Sequence, residues 1–282
     1  MMFCRKDETY VVGDEVLDRI LADDANPLCQ ISKLIGGFNG QAKVLDMGAG
    51  NGLLARVVVR ETKNVIIDGI EPSKFASTIA SAHYRKFYTG FGQDFFSMIE
   101  QENYNFIVLA DVIEHMVDPF TFLKELCKQV SLSTKIVITT PNVAFGAVRI
   151  ALLNGHFNYV DSGILEKTHL RFFTLETLLS MFSNIEIYIE KIYFLNRSFF
   201  NSEIDIIKYR IGISDLLMLS NDELASTYQF LFVLTKSEVL TETIKFGMPI
   251  KLSILQYLLI RLKYFKLISL LSRIYYWLKR KI

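Results

Sequence analysis

The chain has 282 residues, 51% of them apolar, enough to bury a full core in one large domain with an appendage or in two small domains. Its net charge of +1 hides an uneven distribution: residues 243–282 carry nine Lys or Arg and no Asp or Glu, which leaves 22 basic against 30 acidic residues in positions 1–242, a balance of −8. Three scattered cysteines (Cys4, Cys29, Cys127) exclude a disulfide framework and a clustered zinc site, the charged start Arg5-Lys6-Asp7-Glu8 excludes a secretory signal, and no uncharged apolar run reaches the roughly 18 residues that span a bilayer.

In chain order, residues 14–38 read as helix, interrupted near Asn26-Pro27, and Gly36 to Gly40 breaks the chain. Lys43 to Met47 is a short strand that enters a glycine loop, and Leu53 to Arg60 is a packed helix. Val65 to Glu71 is a second strand and Pro72 to Tyr84 a second helix; a third strand is poorly marked. Tyr104 to Ala110 is a strand followed by helix through Val130, and Lys135 to Thr140 is a strand closed by Pro141-Asn142. Ile185 to Tyr193 and Gln229 to Thr235 are β-rich, and residues 196–228 break the rhythm as a cap or loop excursion. Strands that alternate with helices predict an α/β domain over residues 1–237, with a mostly parallel sheet and helices on both faces.

Asp46-Met47-Gly48-Ala49-Gly50-Asn51-Gly52 lies between a strand and a helix, where glycines allow a tight turn and close approach to a ligand. Glu71 ends the next strand, where a carboxylate accepts both hydroxyls of a ribose. An ordinary strand-to-helix turn and a nicotinamide-binding site are both compatible with these residues alone.

Val44-Leu45-Asp46-Met47-Gly48-Ala49-Gly50-Asn51-Gly52 resembles the first motif of class I S-adenosylmethionine methyltransferases. It lacks the last helix-facing glycine spacing of dinucleotide enzymes. Ala110-Asp111-Val112-Ile113-Glu114-His115-Met116-Val117-Asp118-Pro119 resembles their segment after strand four, and Thr139-Thr140-Pro141-Asn142 the end of strand five. The run Gly163 to Thr174 is similar to a bacterial subgroup associated with surface-polysaccharide pathways, and the resemblance covers about residues 40–180. It implies a Rossmann-like seven-stranded sheet whose last strand is antiparallel. It also implies that Asp46, Gly48, Ala49, Gly50 and Gly52 surround the amino-acid part of S-adenosylmethionine, and that Glu71, followed by Pro72, takes the ribose hydroxyls. Asp94, or its neighbour Gln93, falls where the adenine amino group is held, with a solvated turn as the alternative for Asp94. Asp111 joins the cofactor-binding positions at the carboxyl end of strand four, which faces the ligand crevice.

Asp111, Glu114, His115 and the later His169 admit three readings. In one, His115 or His169 is a general base that takes the proton of an acceptor hydroxyl. In another, all four hold a divalent metal that lowers the hydroxyl's pKa. That spacing is similar to the metal-binding pattern of small-RNA 2′-O-methyltransferases and to the Glu-x-x-Glu-His of ubiquinone-pathway O-methyltransferases, although Asp111 stands where those have Glu. In the third, Glu114 and His115 cap a helix and His169 bonds to backbone. Arg149 and Arg171 flank the region, as surface charges or as a clamp for an anionic group, while His83 and His156 are ordinary helix and loop histidines.

The last segment, 238–282, reads as a helical tail. From Leu252, Tyr257, Ile260, Tyr264, Leu267, Leu271, Tyr275 and Leu278 recur at steps of three and four, with Arg261, Lys266, Arg273 and Arg280 off that stripe. A basic amphipathic helix with aromatic residues suits an anionic membrane interface; packing on its own domain or on a second subunit is the alternative, and its apolar bulk favours lipid over nucleic acid. The sequence therefore predicts a cytoplasmic methyltransferase, peripheral on the inner membrane face, that O-methylates a sugar or lipid-linked glycan intermediate. A small-RNA or nucleotide 2′-O-methyltransferase and a non-catalytic scaffold are the alternatives.

Overall fold

The structure, a computed structural model, describes residues 13–185 and 187–238. The predicted break at Asn26-Pro27 separates helix α1 (Asp14–Leu21) from α2 (Pro27–Gly36). The Asn26 side chain accepts the Leu28 N–H at 2.9 Å, and Pro27 sits at the first helical position, where its missing N–H costs nothing. Strand β1 (Ala42–Met47), helix α3 (Leu53–Glu61) and strand β2 (Val65–Glu71) follow as the sequence predicts.

The next helix is shorter than expected. Helix α4 (Lys74–Ala80) gives way to a turn at Ser81–His83, because the Arg85 N–H bonds to the Ile67 carbonyl (2.8 Å) and starts strand β3 (Lys86–Thr89). Helix α5 (Phe96–Glu102) leads to β4 (Phe106–Ala110). The helix expected directly after β4 begins only at α6 (Pro119–Gln129), where the Asp118 carboxylate caps the Thr121 N–H at 3.0 Å. Strand β5 (Lys135–Pro141) is followed by two helices that the sequence reading does not include, α7 (Gly146–Leu153) and α8 (Leu175–Ser183). The expected 185–193 strand is β6 (Tyr188–Asn196); α9 (Ile213–Ser220) and β7 (Thr227–Thr235) complete the described chain.

The seven strands form one sheet in the order β3-β2-β1-β4-β5-β7-β6, with β7 antiparallel to both neighbours and the other pairs parallel. Alternating residues supply its two faces. Leu45, Ile107, Leu109, Ile138, Phe230 and Phe232 face α6 and α8, while Val44, Val108, Val137, Leu231 and Val233 face α2 and α3. The strand order turns back between β1 and β4, so the loops after these strands diverge and leave a crevice.

The 196–228 excursion has a core of its own. Phe199, Ile206, Leu216 and Leu219 pack on Phe145 and Ile150 around α7 and on Ile164 and Leu165. The excursion is closed at its base by the Thr227 hydroxyl on Asn196 Oδ1 (2.9 Å). Cys4 and the tail at 252–282, with the membrane contact expected of it, lie outside the described residues.

Candidate functional site

At the end of β1 the chain must turn without covering the crevice. Gly48 has φ +90° and Gly50 φ +53°, in the left-handed region that favours glycine. The N–H groups of Gly48 and Ala49 both bond to the Ile70 carbonyl, at 2.9 and 3.0 Å, which ties the loop to β2. A Cβ on Gly48 would stand 2.6 Å from Val112 Cγ2, so the loops after β1 and β4 meet at this residue. Gly52, also left-handed at φ +82°, opens α3.

Glu71 is 9% exposed, and its two oxygens accept the N–H groups of Gly50 (2.9 Å) and Ser73 (2.8 Å). A carboxylate has about four acceptor positions, so this anchoring leaves capacity for a ligand's hydroxyls. Asp46 is 2% exposed and accepts the Tyr84 hydroxyl at 2.5 Å. Burial raises its pKa to about 7; the Tyr84 hydrogen bond opposes that rise and the nearby Glu71 charge adds to it.

The crevice holds a cavity of 480 Å³, lined by Gly48, Pro72, Gln93, Val112, His115 and Phe122 among others. Its walls are mainly apolar, with few polar groups to orient a ligand. Asp94 stands beside the cavity, next to Gln93. Its carboxylate accepts the Phe91 N–H at 3.1 Å and closes the turn after β3, and the neighbouring Gln93 is the residue on the cavity.

Asp111 follows β4. It has φ +56°, unusual for a non-glycine residue, and its side chain is held toward β5 and β7. The Thr139 hydroxyl donates to Asp111 Oδ1 at 2.8 Å and accepts the Asp111 N–H at 3.0 Å, while the Gln229 amide donates to the same Oδ1. These bonds tie one carboxylate oxygen of Asp111 to β5 and β7, and its charge acts on the nearby Glu114.

Glu114, His115 and His169 do come together: one potential ligand atom from each lies within 4.8 Å of the others. Glu114 sits on the short turn Ile113–His115 and is 1% exposed. The Thr140 hydroxyl donates to its Oε2 at 3.1 Å, and its Oε1 has no hydrogen-bond partner among the described residues. Burial first, then the Asp111 charge, pushes its pKa well above the usual carboxylate range. The helix cap proposed for it belongs instead to Asp118.

Both imidazoles are oriented by carbonyls. His115 Nδ1 lies 3.1 Å from the Thr168 carbonyl and His169 Nδ1 2.9 Å from the Ile164 carbonyl. A carbonyl only accepts, so each Nδ1 carries a proton, and Nε2 is the nitrogen that holds the lone pair when the ring is neutral. The rings meet edge to face, with centroids 4.8 Å apart and planes at 71°. His115 lines the cavity, whereas His169 is 7% exposed and stands behind it. The segment supplying both carbonyls is fastened to the turn, since the Leu170 and Arg171 N–H groups bond to the Glu114 carbonyl at 2.8 and 3.0 Å.

Arg171 donates to the Val117 carbonyl at the cavity rim, and Arg149 pairs with Asp222. His156 stacks on Tyr209. Tyr84 and Thr140 are site residues that sequence reasoning did not single out. Thr140 lay inside a recognised motif, but Tyr84 carried no local signal, because its partner is 38 positions away.

Residues 15–190 match the model of a family described as "Methyltransferase domain". The ubiquinone biosynthesis O-methyltransferase of Aliivibrio fischeri is 29% identical over 126 residues, 42% of this chain and 52% of the relative. The chain spans about half the length of the curated relatives it matches. A SAM dependent methyltransferase from Archaeoglobus fulgidus superposes with a TM-score of 0.52 at 13% identity, over 80% of this chain and 100% of that one. The plantazolicin methyltransferase, in complex with a triazolic desmethylPZN analog and SAH, superposes at 0.50 with 14% identity, over 80% and 91%. At these identities the two structures show a shared fold.

Proposed function

The chain belongs to the methyltransferase domain family, and we propose that it transfers the methyl group of S-adenosylmethionine to a hydroxyl oxygen placed beside His115. The observation that carries this reading is the single cavity that joins the Gly48 loop and the β2 terminus to His115. The residues present fit the cofactor: Glu71 for the ribose hydroxyls, Gln93 for the adenine edge, the glycine loop and buried Asp46 for the cationic amino-acid end, and an apolar slot between them. S-adenosylmethionine, when bound, supplies an electrophilic methyl group on a sulfonium. The chain's own part is to bind and orient both partners, exclude water with the apolar walls, and accept the hydroxyl proton on His115 Nε2 as the oxygen attacks. His169 keeps the His115 ring in place from behind.

The relatives' printed activity, an O-methylation, supports oxygen as the receiving atom. For the acceptor we favour a sugar or lipid-linked glycan intermediate, on the resemblance of the Gly163–Thr174 run; an acceptor of the ubiquinone pathway is the alternative that the relatives' names suggest. The basic, acid-free stretch at 252–282 supports contact with an anionic membrane carrying such an acceptor. No helix among the described residues is long and apolar enough to cross a membrane.

One observation favours a second reading of the histidine pair. The buried Glu114 has one oxygen, Oε1, without a hydrogen-bond partner among the described residues, and one of its two oxygens lies within 4.8 Å of a nitrogen of each imidazole, a donor set that fits a divalent cation. Glu114, His115 and His169 would hold it, and it would supply Lewis acidity to an acceptor hydroxyl. Calorimetry with S-adenosylmethionine, then an acceptor screen with radiolabelled methyl donor in chelator and in added magnesium, manganese or zinc, tests both readings. No cofactor binding overturns the function; turnover that survives chelation retains His115 as base and rejects the metal.

A further inference from the structure

The excursion between β6 and β7 reaches back to the histidine pair through one side chain. Glu203 accepts the Ile164 N–H on Oε1 at 2.7 Å and the Tyr228 hydroxyl on Oε2 at 2.9 Å. The same Ile164 presents its carbonyl to His169 Nδ1 at 2.9 Å, and its side chain is buried in the excursion's core. Residue 163 is glycine for a matching reason: its φ is +105°, and a Cβ there would stand 2.3 Å from Glu203 Cδ. Burial first, then the Glu203 charge, raises the Tyr228 pKa well above the ordinary tyrosine value, so the hydroxyl stays a donor.

We propose that Glu203 is a positioning residue for the reaction: by pinning Ile164 to β7 it aims the Ile164 carbonyl at His169, and so fixes the tautomer and orientation of the imidazole that packs edge-on against His115. This rests on the reading of the histidine pair given above. It assigns the excursion a task beyond covering the sheet. The turn that carries Ile164 has its own backbone bonds, Glu166 N–H to the Gly163 carbonyl (3.1 Å) and Val160 N–H to the Leu165 carbonyl (3.0 Å). Those set its local shape and the Leu170 and Arg171 bonds fasten the far end of the segment, whereas Glu203 ties the Ile164 end to β7.

The test is long-range ¹H–¹⁵N correlation of the histidine side chains in the ¹⁵N-labelled full chain; four histidines make assignment by substitution practical. In the wild type His169 should show a protonated Nδ1 and a lone pair on Nε2. Glu203→Ala should convert this to an exchanging tautomer mixture. Glu203→Gln should restore the single tautomer, because its amide oxygen can accept from Ile164 while its NH₂ donates to Tyr228. S-adenosylmethionine affinity by calorimetry should stay within about twofold in both. Should Glu203→Ala lose the native circular dichroism, Tyr228→Phe frees one arm of the clasp with little volume change and should give partial mixing. A single His169 tautomer in folded Glu203→Ala, or in Tyr228→Phe when that is the variant read, overturns the proposal. The parent reading fails separately, if His115→Ala and His169→Ala keep full turnover in the acceptor screen while the tautomer signature still depends on Glu203.

Discussion

Near neutral pH the Asp46 carboxyl is close to half-protonated, because burial raises its pKa to about 7 from an ordinary value near 3.8. The unfolded chain gives up this proton at a lower pH than the folded one does. Asp46 therefore contributes stability that is fully present below about pH 4 and lost as pH rises toward 7. A cationic ligand reverses the preference by favouring the carboxylate. S-adenosylmethionine affinity should accordingly rise with pH through the region around 7, approaching about tenfold per unit on the acid side. Calorimetry across pH 5.5–8.5 checks this, and Asp46→Asn should flatten the profile; an unchanged slope in the variant would place the titration elsewhere. For Glu71→Ala, loss of a charged acceptor should weaken the cofactor by about 1.5–3 kcal/mol, roughly ten- to a hundredfold in Kd. His115→Ala and His169→Ala should keep cofactor affinity and lose turnover, by about a hundredfold or more where a general base is removed. If cofactor affinity collapses instead, the histidines are structural. Most of these residues were legible, since Gly48, Glu71, His115 and His169 sit in recognisable motifs. For Asp94 and Asp111 residue type and position match a ligand, and what the sequence does not show is that a turn N–H and a threonine from the next strand each occupy one of their oxygens.

Elements were legible where burial imposes a period. The strands β1, β4, β5 and β7 are buried on both faces and read as continuous apolar runs. β3 is a four-residue edge strand with no fully buried residue, so its sequence carries little pattern. Helix α7 was invisible for the opposite reason: Gly146 to Ile150 is nearly all apolar, without a capping side chain, because it is buried in the excursion's core. The tightest test at this scale is the meeting of the β1 and β4 loops. Gly48→Ala puts a Cβ 2.6 Å from Val112 Cγ2 in a left-handed backbone, which should destabilise the fold by about 1–3 kcal/mol. Denaturant melts of Gly48→Ala, Val112→Ala and the double variant should be non-additive, the smaller side chain at 112 recovering the steric part of the loss. Additive effects would mean that the loops do not press on each other.

The whole molecule divides by charge: an acidic body of net −8 over residues 1–242, followed by nine uncompensated cations. An acidic body does not favour an anionic bilayer, so any membrane attraction must come from the last segment. At about 1 kcal/mol per basic group near the surface, several together would hold the enzyme reversibly. Full-length protein should float with anionic vesicles at low salt and leave them at high salt, as screening shortens the attraction. A chain ended at residue 238 should stay in the soluble fraction and still bind S-adenosylmethionine. Full-length protein that fails to float at low salt would leave the tail as a packing or dimer segment.

The sequence by itself determined the alternation of strands and helices, the glycine turn at the first strand, the carboxylate at the end of the second, and the acid and histidines that follow the fourth. These are decided within a few residues, by backbone sterics and by the period of burial. Only the tertiary structure decided which oxygen and which nitrogen face the cavity. That choice turns on partners far apart in the chain: Tyr84 on Asp46, Thr140 on Glu114, Thr168 and Ile164 on the two imidazoles, and Glu203 on the turn that carries one of them. A hydrogen bond is short and directional, so each polar group is committed to whatever the fold brings within about 3 Å of it. No local pattern in the chain records that distance.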